Sequence, residues 1–285
     1  METRRLGRTE HRSSVAILGG AAFWDTDEAT TEAAVTNALS AGVNHLDVAP
    51  QYGRAEVNLG PHIERHRPSL FVACKTLRHS SDGVRAQLET SLANLRGETI
   101  DLYQLHAVTD LEELDRRSGA LSAAFAARDE GLCRFVGITG HELTTAAAQR
   151  EALVRYDLDT VMLPINPQVM GIPTYRRDVE ALLDEAARRD VGVMAIKAGA
   201  ARPWGGRPQT ATTWYEPHRT AADLATGIGF ALGTPGVAAF CTPGDVDVLA
   251  TAVTVAAEVR SMDDTDREAA ITAALSERSI FPMGS

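Results

Sequence analysis

Two hydrophobic periods take turns along this chain. Apolar runs of strand length recur at 15–18, 43–47, 70–74, 100–105, 133–138, 160–163, 191–196 and 237–241. Between them, apolar residues fall three and four apart over 29–40, 55–65, 84–95, 118–130, 144–154, 179–189, 220–232 and 246–259. The runs read as strands buried on both faces, and the longer segments as amphipathic helices packed over them. Strand and helix in strict alternation predict a parallel α/β sheet with helical crossovers. Eight repeats predict its closure into a (β/α)8 TIM barrel. No Gly-x-Gly-x-x-Gly opens the first helix, as a doubly wound dinucleotide fold requires. Residues 1–14 are polar around a Gly-Arg turn and read as a short N-terminal hairpin or cap. Residues 263–276 read as an extra C-terminal helix. No linker interrupts the pattern, so 1–285 reads as a single barrel domain. The longest stretch without a period, 198–217, is rich in Gly, Pro, Trp and Arg. A loop of that length in a compact domain is more often a lid or ligand loop than a plain connection.

In such barrels the chemistry sits at the strand C-termini and on the loops that follow. Three successive predicted strands end in a polar residue that an apolar run does not call for: Asp47, Lys75 and His106. Tyr52 follows Asp47 by five residues, in a Pro-Gln-Tyr-Gly turn. Neighbouring strands lie ~4.8 Å apart, so these side chains converge at one rim if the barrel closes. A free phenol titrates near 10, and a nearby ammonium favours its phenolate. Asp47 would keep Lys75 charged, and a neutral His106 could donate to a carbonyl oxygen as charge builds there. Such a set protonates an oxygen whose carbon has just received a hydride. Taken singly, a strand-end aspartate reads as a loop cap, a histidine in an apolar context as core, and Tyr-Gly as a turn pair. Lys75 resists that treatment. Lys75 and Lys197 are the only lysines in a chain that otherwise uses arginine for positive charge.

Composition narrows the partners. A formal charge of −10 and no segregated basic stripe argue against nucleic acid or an anionic membrane. Cys74, Cys133 and Cys241 lie in or at the end of apolar runs, without CxxC spacing. They read as buried thiols in a reducing compartment, and no apolar run reaches ~18 residues, so a cytoplasmic protein is expected. No metal-ligand spacing is evident.

The residues also carry a family resemblance. Asp47-Val48-Ala49, Tyr52-Gly53, Ala55-Glu56 and Leu59-Gly60 together resemble the signature of the aldo-keto reductase superfamily. Cys74-Lys75-Thr76, Ser91-Leu92 with Leu95, and the run Ile100-Asp101-Leu102-Tyr103-Gln104-Leu105-His106 fall at that family's spacing. Val136-Gly137-Ile138-Thr139 is similar to its fifth strand. The likeness is specific from about 5 to about 140 and looser beyond. It implies a (β/α)8 barrel, often monomeric, that reduces carbonyls with NADPH. The family's tetrad then falls on Asp47, Tyr52, Lys75 and His106, with Tyr52 as general acid. Cofactor contacts are expected from Gly20, Ala21, Asp47, Thr139, Met162, Ile196, Lys197, Arg202 and Gly244.

The second half departs from the family pattern. Thr139, Gly140 and Met162 stand where Ser-Asn and Gln usually hold the nicotinamide carboxamide. Ile196 and Lys197 stand where a stacking tyrosine is common. The loop Thr242-Pro243-Gly244-Asp245-Val246-Asp247 lacks the cation that commonly holds the 2′-phosphate. Arg202 and Arg207 are the candidates to replace it, or the preference has moved toward NADH, or cofactor binding is weak. Phe23 and Trp24 resemble one side of the family's substrate pocket, with Trp204, Trp214 and Tyr215 placed to close over it. The expected partner is a small carbonyl compound with some apolar bulk. Two other readings stay open: a barrel that senses nicotinamide cofactor without turnover, and a lyase using Lys75 as a Schiff-base nucleophile.

Overall fold

The computed structural model describes residues 1–276 and 279–281. An antiparallel hairpin, β1 (Thr3–Arg5) and β2 (Arg12–Ser14), precedes the barrel. The barrel strands are β3 (Ala16–Gly19), β4 (His45–Asp47), β5 (Phe71–Thr76), β6 (Ile100–Leu105), β7 (Cys133–Thr139), β8 (Thr160–Pro164) and β9 (Gly192–Ile196). A second hairpin, β10 (Ala200–Pro203) with β11 (Tyr215–Pro217), projects before the last barrel strand, β12 (Val237–Cys241). β12 pairs with both β9 and β3, which closes eight parallel strands into a ring. The main crossovers are α1 (Glu28–Ser40), α2 (Ala55–His66), α3 (Ser81–Asn94), α5 (Ser118–Asp129), α6 (Thr145–Arg155), α8 (Pro173–Arg189) and α9 (Ala221–Gly233). Two short helices, α4 (Leu111–Arg116) and α7 (Pro167–Met170), join them; α10 (Val246–Glu258) and α11 (Asp264–Ala274) end the chain. Among the described residues no helix is long and apolar enough to cross a membrane.

The expected barrel is present. Its strands are buried along nearly their whole length, as sheet covered by helices on one face and by its own interior on the other must be. Inward side chains, among them Ile17, Phe71, Ala73, Leu102, Met162 and Met194, form a core separate from the larger one under the helices. The first hairpin stoppers the N-terminal mouth. Leu6, fully buried, joins that inner core and packs so close to Gly192 that a Cβ there would sit 2.7 Å from its Cδ1. Chemistry is thereby confined to the opposite mouth.

Three local readings need correction. α4 and α7 have too few turns for a period to show, although each has its cap: Asp110 accepts from Glu113 N at 2.8 Å, and Asn166 from Val169 N at 3.0 Å. α8 begins at Pro173, six residues before the expected start, because proline is tolerated in a first turn whose N–H groups have no helical partner. The stretch 198–217, expected as loop throughout, contains β10 and β11.

Candidate active site

Neighbouring strands deliver the four tetrad candidates to one rim. Asp47 lies beside Ala73, and Lys75 beside Gln104, in the parallel registers of β4, β5 and β6. Side chains alternate along a strand, so Ala73 and Lys75 share the inward face. There the Lys75 ammonium forms an ion pair with Asp47 Oδ2, each side chain 2% exposed. Gln104 Nε2 donates to the other carboxylate oxygen at 2.9 Å. Tyr52 stands on the turn after β4, its ring centroid 5.3 Å from Lys75 Nζ. The turn depends on Gly53, which has φ 54° and whose Cβ, if present, would meet Trp24 O at 2.6 Å. His106 meets the Tyr52 ring edge-on, with centroids 5.8 Å apart at 89°.

Arg117, fully buried, fastens two of these strand ends together. Its Nη1 donates to His106 O and its Nη2 to Thr76 O, both at 2.7 Å. His106 also gives its Nδ1 side to Gln51 Oε1 at 3.4 Å and its Nε2 side to His141 Nε2 at 3.2 Å. Burial, with the charge of Lys75, holds His106 well below the usual histidine range. Burial, with Lys197 and Lys75, pushes His141 down to about 3. Two neutral imidazoles share one proton across their Nε2 atoms. His106 can therefore donate to a substrate only in one tautomer, and only by releasing His141.

The electrostatics revise the expected acidity of Tyr52. Burial pushes the phenol up to about 12, against the downward pull of Lys75, while Asp47 adds to the rise. Burial would likewise lower Lys75, but Asp47 and Tyr52 outweigh it and raise the ammonium above its ordinary value. The phenol and ammonium are accordingly both protonated near neutral pH.

A cavity of about 350 Å³ opens above this group. Of the expected contacts, Gly20, Ala21, Trp24, Asp47, Tyr52, Lys75, His106, Thr139, Met162, Ile196, Lys197, Trp214 and Gly244 line it. Three do not. Phe23 is fully buried and turns into the helix-side core. Trp204 holds the second hairpin from behind, its Nε1 donating to Thr213 O at 2.8 Å. Arg202 faces Glu216 across that hairpin, with bonds of 3.0 and 2.7 Å, and Arg207 reaches the same carboxylate at 2.9 Å. Glu216 thus occupies both arginines expected to replace the missing phosphate cation.

The wall also has members the residue pattern did not single out: His141, Thr212, Thr213 and Thr242. Cys241, expected as a buried thiol, is half-buried on the same wall, and burial pushes it up to about 12. Only Gln104 had left a signal, as a polar side chain at an inward position of an apolar strand.

Met162, Ile196 and Tyr215 line the cavity together with Tyr52 and Lys75, apolar surface of the kind a planar ring would need there. The opposite end is tighter. Asp245 caps α10 by accepting from Val248 N at 3.2 Å, and its Oδ2 accepts from Thr212 N at 3.2 Å. Thr212 Oγ1 donates to Gly244 O at 2.5 Å. A carboxylate therefore already sits at the helix N-terminus where a phosphate would gain most.

A parallel eight-stranded barrel with an aspartate, lysine, histidine and tyrosine at its C-terminal mouth defines a barrel enzyme class. Residues 16–229 match the sequence model of the aldo/keto reductase family, and the chain belongs to that family. It is 31% identical over 134 residues to aldo-keto reductase family 1 member A1 of Cricetulus griseus, covering 44% of this chain and 39% of the relative. It is 28% identical over 153 residues to the oxidoreductase YqkF of Bacillus subtilis, itself uncharacterized, covering 49% of each. It is 30% identical over 156 residues to L-galactose dehydrogenase of Arabidopsis thaliana, again covering 49% of each. These matches span half or less of the relatives' own length. In fold, the chain resembles an aldo-keto reductase of Bacillus halodurans in its holo form, with TM-score 0.73 and 19% identity over 99% of this chain and 98% of that one.

Proposed function

We propose that this chain reduces an aldehyde or ketone to the alcohol with a reduced nicotinamide, Tyr52 delivering the proton. The observation that carries this reading is the buried Lys75–Asp47 ion pair beside the Tyr52 ring, with His106 at the ring's edge. The cofactor, when bound, supplies a hydride; Gly20, Ala21, Thr139, Met162, Ile196 and Gly244 would hold it.

This chain's own residues handle the proton and the developing charge. Tyr52, pushed up to about 12, stays protonated at neutral pH and is available as a donor. An alkoxide is a stronger base than phenolate, so transfer from Tyr52 Oη to the new alkoxide runs downhill. Lys75 then faces the phenolate left behind, and Asp47 and Gln104 keep the ammonium in place. His106 orients the carbonyl once His141 releases its Nε2. The Schiff-base reading loses its support, because an ammonium paired with Asp47 is a poor nucleophile.

NADPH is the cofactor the family resemblance implies. Glu216 on Arg202 and Arg207 makes NADH a close competitor, so both belong in the same titration. Replacing Tyr52 by Phe should lower kcat by about 10²–10⁴ while cofactor affinity and circular dichroism stay near wild type. Turnover close to wild type in that variant would end the proton-donor assignment.

A further inference from the structure

Lys197, expected as a cofactor contact, takes no part in the proton transfer from Tyr52. Its ammonium enters the catalytic cavity from the end of β9, 4.8 Å from the Trp214 ring and 5.1 Å from the Tyr215 ring. Its backbone is left-handed, φ 65°, a conformation that favours glycine or asparagine over lysine. Two donors pin it there: Asn166 Nδ2 at 3.0 Å and Ala200 N at 3.1 Å, both to its carbonyl oxygen. The direction in which the side chain leaves β9 is thereby fixed.

Among the described residues, no carboxylate lies within ion-pair distance of this ammonium, whereas Lys75 in the same cavity has Asp47. A partly desolvated charge without a counter-charge costs stability. Its pKa falls accordingly, to about 8, through burial first, with Lys75 lowering it further against Cys241 and exposed Glu142. At neutral pH it remains mostly ammonium.

We propose that Lys197 anchors an anion subsite inside the catalytic cavity, and that the substrate is a carbonyl compound bearing a carboxylate. The second half of this inference rests on the reductase reading; the first half does not. Lys197 lines the same cavity as Tyr52, His106 and His141, so an anion held by its ammonium shares that space with the reacting group. The cofactor's phosphates are the other source of an anion, but their natural seat, the N-terminus of α10, already carries Asp245.

The test pairs 4-carboxybenzaldehyde with its neutral methyl ester, in wild type, Lys197→Met and Lys197→Arg. The kcat/KM ratio of acid to ester should fall about tenfold or more in Lys197→Met and recover in Lys197→Arg. A second arm needs no turnover: benzoate should perturb tryptophan fluorescence, since Trp24 and Trp214 line the cavity, and should bind about tenfold more weakly to Lys197→Met. Benzoate binding that depends on Lys197, without reduction of either aldehyde, would uphold the anion subsite and sink the reductase reading instead. An unchanged acid-to-ester ratio together with benzoate binding indifferent to Lys197 would overturn the subsite. A loss confined to NADPH affinity would assign the anion to the cofactor and overturn the substrate half.

Discussion

Replacing Lys75 by Met tests stability and chemistry together. The methionine keeps most of the stem's volume and removes the charge. Asp47, 2% exposed, would lose its ion-pair partner and keep Gln104 Nε2 at 2.9 Å and the weak Cys241 thiol donor at 4.0 Å. Removing one partner of a buried pair costs ~3–5 kcal/mol, because the remaining charge stays desolvated. The surviving Gln104 bond places this site at the lower end, about 3 kcal/mol. The double variant Lys75→Met with Asp47→Asn leaves no stranded carboxylate and should recover at least ~1 kcal/mol relative to the single change. Urea denaturation followed by circular dichroism measures both. Turnover should fall in either variant, since nothing then faces the Tyr52 phenolate. A single variant within ~1 kcal/mol of wild type, or strictly additive costs in the pair, would refute the argument that the two charges sustain one another.

Other expectations follow from the same geometry. Carbonyl reduction should show no loss attributable to Tyr52 between pH 6 and 9, while oxidation of the alcohol, which needs the phenolate, should keep rising toward about 12; paired pH profiles check this, and an alkaline fall in reduction alone would contradict it. Arg117→Met should cost about 3 kcal/mol by removing two charge-assisted bonds of 2.7 Å, and should raise KM less than it lowers kcat, as loosened ends of β5 and β6 misplace Lys75 and His106. Lys197→Met should raise Tm at pH 7. The wild-type group titrates lower folded (about 8) than free (10.5), so its penalty is present below pH 8 and fades as pH rises from 8 to 10.5. A gain that grew across that window would have the wrong sign.

The barrel was legible because each repeat writes its burial twice, as an apolar strand and as a helical stripe. The convergence of Asp47, Lys75, His106 and Tyr52 at one rim was legible because polar residues at strand ends contradict their surroundings. What joins those residues was not. Arg117 looks like any other arginine until the junction of α4 and α5 brings its guanidinium to the carbonyls of Thr76 and His106. His141 follows a Gly in a segment without a period, so nothing local marks it as the partner of His106. The acidity of Tyr52 was right in the sign of the Lys75 contribution and wrong in the net, since the depth of burial is a property of the closed mouth. Arg202 looked available for a phosphate because its register against Glu216 exists only once β10 and β11 pair.

The scarcity of lysine has a chemical corollary. Both ε-amines of the chain sit on one cavity wall, and they differ in proton affinity: Lys75 is held as ammonium by Asp47, whereas Lys197 is about half free base at pH 8. Acylating reagents that modify most proteins at scattered surface sites would here meet a single reactive ε-amine, inside the mouth of the barrel. Mass spectrometry after mild acylation should therefore find Lys197 modified and Lys75 intact, with any occupant of the cavity slowing the reaction.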